Sequence, residues 1–251
     1  MKFIKLLTLA TVAILFSSTS SAQQFRALVF TKTAGWHHES GHAAVEAIKK
    51  LGEQHHFEVF WTENADIVFK QEELAKYQVI IFAQTTGDIL NAEQQALMEG
   101  FIRNGGGFVG IHSAADTEYK WEWYTRMVGH MFQQHPAIQT ATLQVMNRNF
   151  PGMDRFAPRF LFTDEWYEFD EARVKLNYIL GIDETTYQVS KANQNRAPML
   201  RPLSWFHEYD GGRAFYTALG HLPETYADPD FLHHIYGGIY WAAIGKGFKA
   251  Q

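Results

Sequence analysis

Val79-Ile80-Ile81-Phe82-Ala83 carries no polar side chain. A strand with no polar face must be covered on both sides, as in a parallel sheet with helices above and below. The surrounding pattern agrees. Residues 26–31 (RALVFT) read as another short buried strand. Ser40 then stands as N-cap to a helix in which Ala43, Ala44, Ala47, Ile48 and Leu51 recur at helical spacing. Residues 57–61 predict a strand, 72–77 a short helix, and Asn91 the cap of a helix running to about Arg103. Gly105, Gly106 and Gly107 stop that helix before a strand at 108–111. This alternation is the order of a doubly wound α/β sheet. The second half is less regular. A helix is expected over 121–131 and strands over 141–146 and 176–182. A hairpin is expected over 202–218 around Asp210-Gly211-Gly212, and a closing helix over 228–244. No repeat, low-complexity tract or linker breaks the chain, so residues 23–251 read as one domain.

The start has a different character. Lys2 and Lys5 precede an apolar run from Leu6 to Phe16, and Ser20-Ser21-Ala22 offers small side chains for cleavage after Ala22. That is the pattern of a secretory signal peptide, with an apolar run shorter than the ~20 residues of an ordinary membrane span. The expectation is a periplasmic or secreted protein with no stable membrane insertion after cleavage. An uncleaved anchor is the alternative. Cleavage removes two of the 22 basic residues and none of the 27 acidic ones. The acidic balance argues against nucleic acid and against an anionic membrane surface. With no cysteine, disulfides, thiolate catalysis and thiolate metal sites are excluded. Oligomeric state is not legible.

Ligands of a doubly wound sheet sit beyond the carboxyl ends of its strands. Those ends carry Gly35-Trp36-His37-His38-Glu39-Ser40, then Thr85-Thr86-Gly87-Asp88, then His112-Ser113 with Asp116, and finally Gly220-His221. Any one of these is an ordinary loop residue by itself. His38, His112 and His221 falling together at strand ends point to a site. The stretch Gly110-Ile111-His112-Ser113-Ala114-Ala115 has the small neighbours that a nucleophile elbow needs. His112 stands at its tip, so its ring should project into the site more than into the core.

The stretches GWHHES, GGGFVGIHSAADTEYKWEWY, TDEWYEF and SWFHEYDGGRAFYTALGHLPETYADPDFLHHIYGGIYWA resemble the ThuA-like family, named for trehalose utilisation. The resemblance covers essentially the whole mature chain. It implies a flavodoxin-like, mostly parallel α/β sheet related to class I glutamine amidotransferases. In those relatives the elbow carries Gly-Ile-Cys, and a later His-Pro-Glu supplies the catalytic histidine. Here Gly110-Ile111-His112 stands at the first place, and His221-Leu222-Pro223-Glu224, with one residue inserted, resembles the second. Amidotransferase chemistry is therefore not expected.

Three readings of the histidines remain open. One is general acid/base catalysis by His38, His112 and His221 with Glu165. Another is a divalent metal such as zinc held by His38, His112 and His221, with Glu165 or Asp164 from TDEWY as a further ligand. The last is a scaffold that only binds. Ser113 is a candidate nucleophile but lies one position past the tip without G-x-S-x-G, so a turn role is preferred. Thr85, Thr86 and Gly87 match the oxyanion loop of the amidotransferase relatives. Trp36, Tyr119, Trp121, Trp123 and Trp166 are candidates for stacking on a sugar, or else pack the second-half core. Trp241, His233 and His234 read as structural, and His55-His56 as cations at a helix end. The resemblance implies carbohydrate metabolism. The expected substrate is a glycoside or 3-keto-glycoside, from which a histidine base removes the proton beside the keto group and expels a glycosidic oxygen. A non-catalytic sugar-binding protein is the alternative.

Overall fold

The computed structural model describes residues 23–248; the expected leader, residues 1–22, lies outside them. In chain order the elements are β1 (Arg26–Phe30), α1 (Gly41–His55), β2 (Glu58–Thr62), α2 (Ala65–Val68), α3 (Gln71–Leu74), β3 (Val79–Ala83), α4 (Ala92–Arg103), β4 (Gly107–Ile111), α5 (Glu122–Val128), β5 (Phe132–Gln134), β6 (Gln139–Val145), β7 (Arg159–Asp164), β8 (Glu168–Phe169), β9 (Asn177–Asp183), β10 (Leu200–Tyr209), β11 (Gly212–Thr217) and α6 (Pro229–Ile244).

A 9-stranded sheet runs β2-β1-β3-β4-β11-β10-β9-β6-β7. The strands from β2 to β11 pair in parallel, and the extension from β10 to β7 pairs antiparallel. β3 and β4 are buried at every position, as the unbroken apolar run requires. On one face Tyr124 of α5 packs on Phe82 and Phe108. On the other, α6 lies over Phe215, whose ring stacks on Phe150. The order reverses between β1 and β3, so the loops after these strands open a crevice at the carboxyl edge.

Local chemistry sets the boundaries. Asn91 and Gln94 form a reciprocal capping box at the start of α4. Ser40 occupies the cap position of α1 but its hydroxyl makes no capping bond. His55 lies in the last turn of α1, where its surroundings disfavour the cation expected at the helix end. It stacks on Tyr236, and burial, with His233 nearby, pushes its pKa down. The hairpin turn Asp210-Gly211 has positive φ at both residues, 47° and 91°, the backbone of a type I′ turn. The helix expected over 121–131 is shorter, because Gly129 adopts φ 100° and ends it after Val128. β5, β7 and β8 fall in the stretch that the sequence left irregular.

Candidate metal centre and cleft

Four elements deliver four side chains to the carboxyl edge. His38 comes from the loop after β1, His112 from the turn after β4, His221 from the loop after β11, and Glu165 from the residue following β7. β7 is the far strand of the sheet, yet its end is tied to the centre. Asp164 accepts hydrogen bonds from the backbone N–H of Gly220 at 2.8 Å and of His221 at 3.2 Å. Burial drives the Asp164 carboxyl pKa up, and Asp164 is outside the ligand cluster that Glu165 joins.

His112 sits at the tip with φ 50°, the left-handed backbone of a tight elbow. A Cβ at Gly110 would stand 2.9 Å from the Tyr216 ring, which is why the elbow takes glycine there. The tip differs from expectation in one respect. The His112 ring is fully buried, covered by Tyr167 at 4.1 Å between centroids, instead of projecting freely. Its Nδ1 lies 2.7 Å from the Ala218 carbonyl oxygen. A carbonyl only accepts, so Nδ1 carries the proton and Nε2 presents a lone pair. That lone pair faces His221 Nδ1 at 3.1 Å and Glu165 Oε2 at 3.4 Å, and the latter two are 3.2 Å apart.

His38 completes the group, edge-on to both other imidazoles at ring distances of 5.0 and 5.3 Å. Its Nδ1 is buried without a partner. Burial first, then the two neighbouring histidines, lower its pKa to about 3, so the ring is neutral. Burial works to raise the Glu165 pKa, but the imidazoles of His112 and His221 outweigh it and keep the carboxylate ionised. Burial works to lower His221, and Glu165 reverses that shift. One ligand atom from each of His38, His112, Glu165 and His221 lies within 4.8 Å of all the others. A neutral His38 with one buried nitrogen unpartnered, an ionised carboxylate, and a His112 lone pair turned toward it are a donor set that fits a divalent cation.

His38, Glu165 and His221 floor a cleft of about 370 Å³ whose walls include Trp36, Asp116, Phe132, His135 and Tyr167, with His112 buried beneath them. Of the residues expected to touch a ligand, Trp36 and Asp116 line the cleft. Tyr119 holds Asp116 through a 2.8 Å hydrogen bond. The others are spent elsewhere. Ser113 is fully buried and donates to Gln84 Oε1 at 3.2 Å. Thr86 is buried and donates to the Trp36 carbonyl at 2.8 Å, so it positions the loop. The Gly87 N–H donates to the Asp116 carbonyl and is not free to serve an oxyanion, and Thr85 bonds Thr117. Trp121 stacks on Trp123 and donates to Glu99, away from the cleft; Trp166 is core. Glu224 of the His-Leu-Pro-Glu stretch is exposed, and Glu165 supplies the carboxylate that faces His221. Sequence reasoning missed His135, whose Nδ1 is 3.0 Å from Glu165 Oε1, and Tyr167. The only signal for Tyr167 was its place in TDEWYEF.

The family model for ThuA, described as trehalose utilisation, matches residues 26–242. The chain belongs to the ThuA family. Family members of known structure include a ThuA-like protein from Bacteroides uniformis ATCC 8492. It is 22% identical, with a TM-score of 0.71 over 91% of this chain and 94% of that one. A second, from Parabacteroides merdae ATCC 43184, is 18% identical, with a TM-score of 0.73 over 90% and 92%. A β-galactosidase from Bacillus circulans sp. alkalophilus shares the fold at 11% identity and a TM-score of 0.55, over 88% of this chain but 31% of that one. No curated protein matches the sequence. The family affiliation points to a carbohydrate-related role, and the fold is the flavodoxin-like, mostly parallel sheet that the sequence implied.

Proposed function

We propose that this protein is an exported, metal-dependent enzyme that acts on a glycoside or 3-keto-glycoside. The carrying observation is the cluster of ligand atoms at and beneath the floor of the cleft. His112 Nε2, His221 Nδ1 and Glu165 Oε2 stand 3.1, 3.2 and 3.4 Å apart. Ligands about 2.0–2.1 Å from a tetrahedral ion lie about 3.3–3.4 Å from one another. His38 is the fourth member. A bound ion would supply Lewis-acid polarisation to a sugar oxygen that enters as a further ligand beside these four.

The chain's own residues supply the rest. His135 is partly exposed in the cleft, and its Nδ1 faces two acceptors, Glu165 Oε1 at 3.0 Å and the Pro136 carbonyl at 2.9 Å. Nδ1 therefore keeps its proton, and Nε2 is the basic atom. On a 3-keto-glycoside, Nε2 takes the proton from the carbon beside the keto group. The released pair forms a carbon–carbon double bond to the anomeric carbon, and the glycosidic oxygen leaves as an alcohol, taking the proton back from Nε2. Glu165 stabilises the imidazolium that forms.

The test joins metal analysis of purified protein to a screen of glycosides and 3-keto-glycosides. About one zinc per chain, with turnover lost on chelation and restored by zinc, is expected. Full turnover by metal-free protein rejects the metal dependence, and no turnover by loaded protein rejects the enzyme reading. Sugar binding without turnover would select the second reading, a sugar-binding protein, which the 72% exposure of Trp36 beside the cleft favours. Export rests on Lys2, Lys5, the Leu6 to Phe16 run and Ala22. Mass spectrometry of protein from its host should find Gln23 near the N-terminus.

A further inference from the structure

We infer that the cleft is built for a neutral, unphosphorylated pyranoside that lies against Trp36 and hydrogen-bonds Asp116 and Tyr167. The inference deepens the proposed function and rests on its reading of the cleft as a sugar site.

Charge restricts the ligand first. Among the described residues no lysine or arginine lines the cleft, while Asp116 and Glu165 both do. A phosphate or carboxylate on the ligand would meet like charge there, with only the His135 imidazole and the floor to compensate it. Hydrogen-bonding capacity narrows the choice. Asp116 uses one carboxylate oxygen to accept the Tyr119 hydroxyl at 2.8 Å. That hydroxyl also lies 2.7 Å from the Phe132 carbonyl, so its single proton is shared between the two acceptors. Among the described residues no donor reaches the other Asp116 oxygen, and no cation pairs with it. Tyr167 is only 4% exposed, and among the described residues its hydroxyl has no hydrogen-bond partner. Its ring is clamped between His112 and Phe132, at centroid distances of 4.1 and 4.2 Å. The cleft therefore offers an unused acceptor and an unused donor on rigid supports.

A sugar hydroxyl donates once and accepts, so neighbouring hydroxyls can serve both groups. The apolar face of the ring needs a flat partner, and Trp36 presents an indole that is 72% exposed at the same cleft. Thr86 bonds the Trp36 backbone carbonyl and so fixes the stem of that platform.

The test is isothermal titration of the zinc-loaded full chain with methyl glucopyranosides, trehalose, their 3-keto forms and trehalose 6-phosphate. At least one neutral sugar should bind, and the phosphate should bind about ten-fold or more weakly than trehalose. Asp116→Asn, Tyr167→Phe and Trp36→Ala should each weaken the neutral sugar by about ten-fold or more, with zinc content and melting temperature retained. Asn still accepts from Tyr119, and Phe keeps the ring on His112, so folding is spared. Binding of no neutral sugar overturns the inference, as do wild-type affinities in all three variants or preference for the phosphate. Loss of zinc binding in the wild type with these sugar effects intact would sink the metal reading and leave this one standing.

Discussion

His112 Nδ1 and the Ala218 carbonyl oxygen are 2.7 Å apart, and this contact decides which nitrogen of the buried ring faces the centre. His112→Ala should abolish zinc binding and turnover. Because the ring is fully buried, it should also cost about 2–5 kcal/mol, as truncation of a packed side chain does. His112→Gln should lose zinc with a smaller drop in melting temperature. Calorimetry with zinc titration checks both, and a His112→Ala protein that keeps stoichiometric zinc would exclude His112 as a ligand.

Glu165 and His135 separate a ligand from its support. Glu165→Gln removes the charge that faces three histidines. It should weaken zinc by more than the roughly 10–100-fold that outer-shell partners contribute. His135→Ala should stay within that outer-shell range for zinc but lose most of its turnover. Competition with a chromogenic chelator measures the first quantity, and steady-state rates at saturating zinc the second. Equal zinc affinities for the two variants would contradict the assignment.

Gly220→Ala tests the junction of strand ends. Gly220 has φ 112°, and a Cβ there would stand 2.6 Å from the Tyr226 hydroxyl. Backbone strain alone costs about 1–3 kcal/mol, and relief should displace the neighbouring His221. A lower melting temperature and weakened zinc binding are expected together. Unchanged zinc affinity in a destabilised variant would show that the junction does not position His221.

Acid stability follows from two buried histidines outside the centre. Burial lowers His207 to about 4, and burial with neighbouring His233 lowers His234 to about 3, each from 6.5. Below pH 6.5 the unfolded chain takes up protons that the folded chain refuses. Stability is therefore full above about 6.5, falls as pH drops, and levels only as each folded pKa is passed. Each such histidine contributes a slope approaching about 1.4 kcal/mol per pH unit. Urea unfolding at pH 7, 6 and 5 should show it, and His207→Phe should make the decline shallower. An equally steep decline in that variant would mean that His207 is protonated in the fold.

The parallel half of the fold was legible because strands with no polar face admit only one environment, and β3 and β4 are buried throughout. The antiparallel extension was legible only in part. β5 and β8 are too short to show a period, and β7 reads Arg-Phe-Leu-Phe-Thr-Asp, where an outward Leu161 hides the alternation. In the site, Glu165 was named from the TDEWYEF stretch, while strand ends named three histidines, since topology alone brings such ends to one edge. It could not say which neighbours face the cleft. Trp121 turns to Glu99 and Ser113 to Gln84. His135 reaches Glu165 from a loop that the sequence left without an assignment.

The tie between Asp164 and the Gly220 and His221 backbone has a kinetic consequence. Residues 38, 112, 165 and 221 are far apart in the chain, and Glu165 arrives only when the outermost strand has docked. A folding intermediate with the parallel block formed and β6 and β7 still loose would lack the complete site. Such distant closures carry a high entropic cost and come late. High-affinity zinc uptake during refolding should therefore track the slowest phase of the reaction, making the ion a reporter of the last assembled contacts.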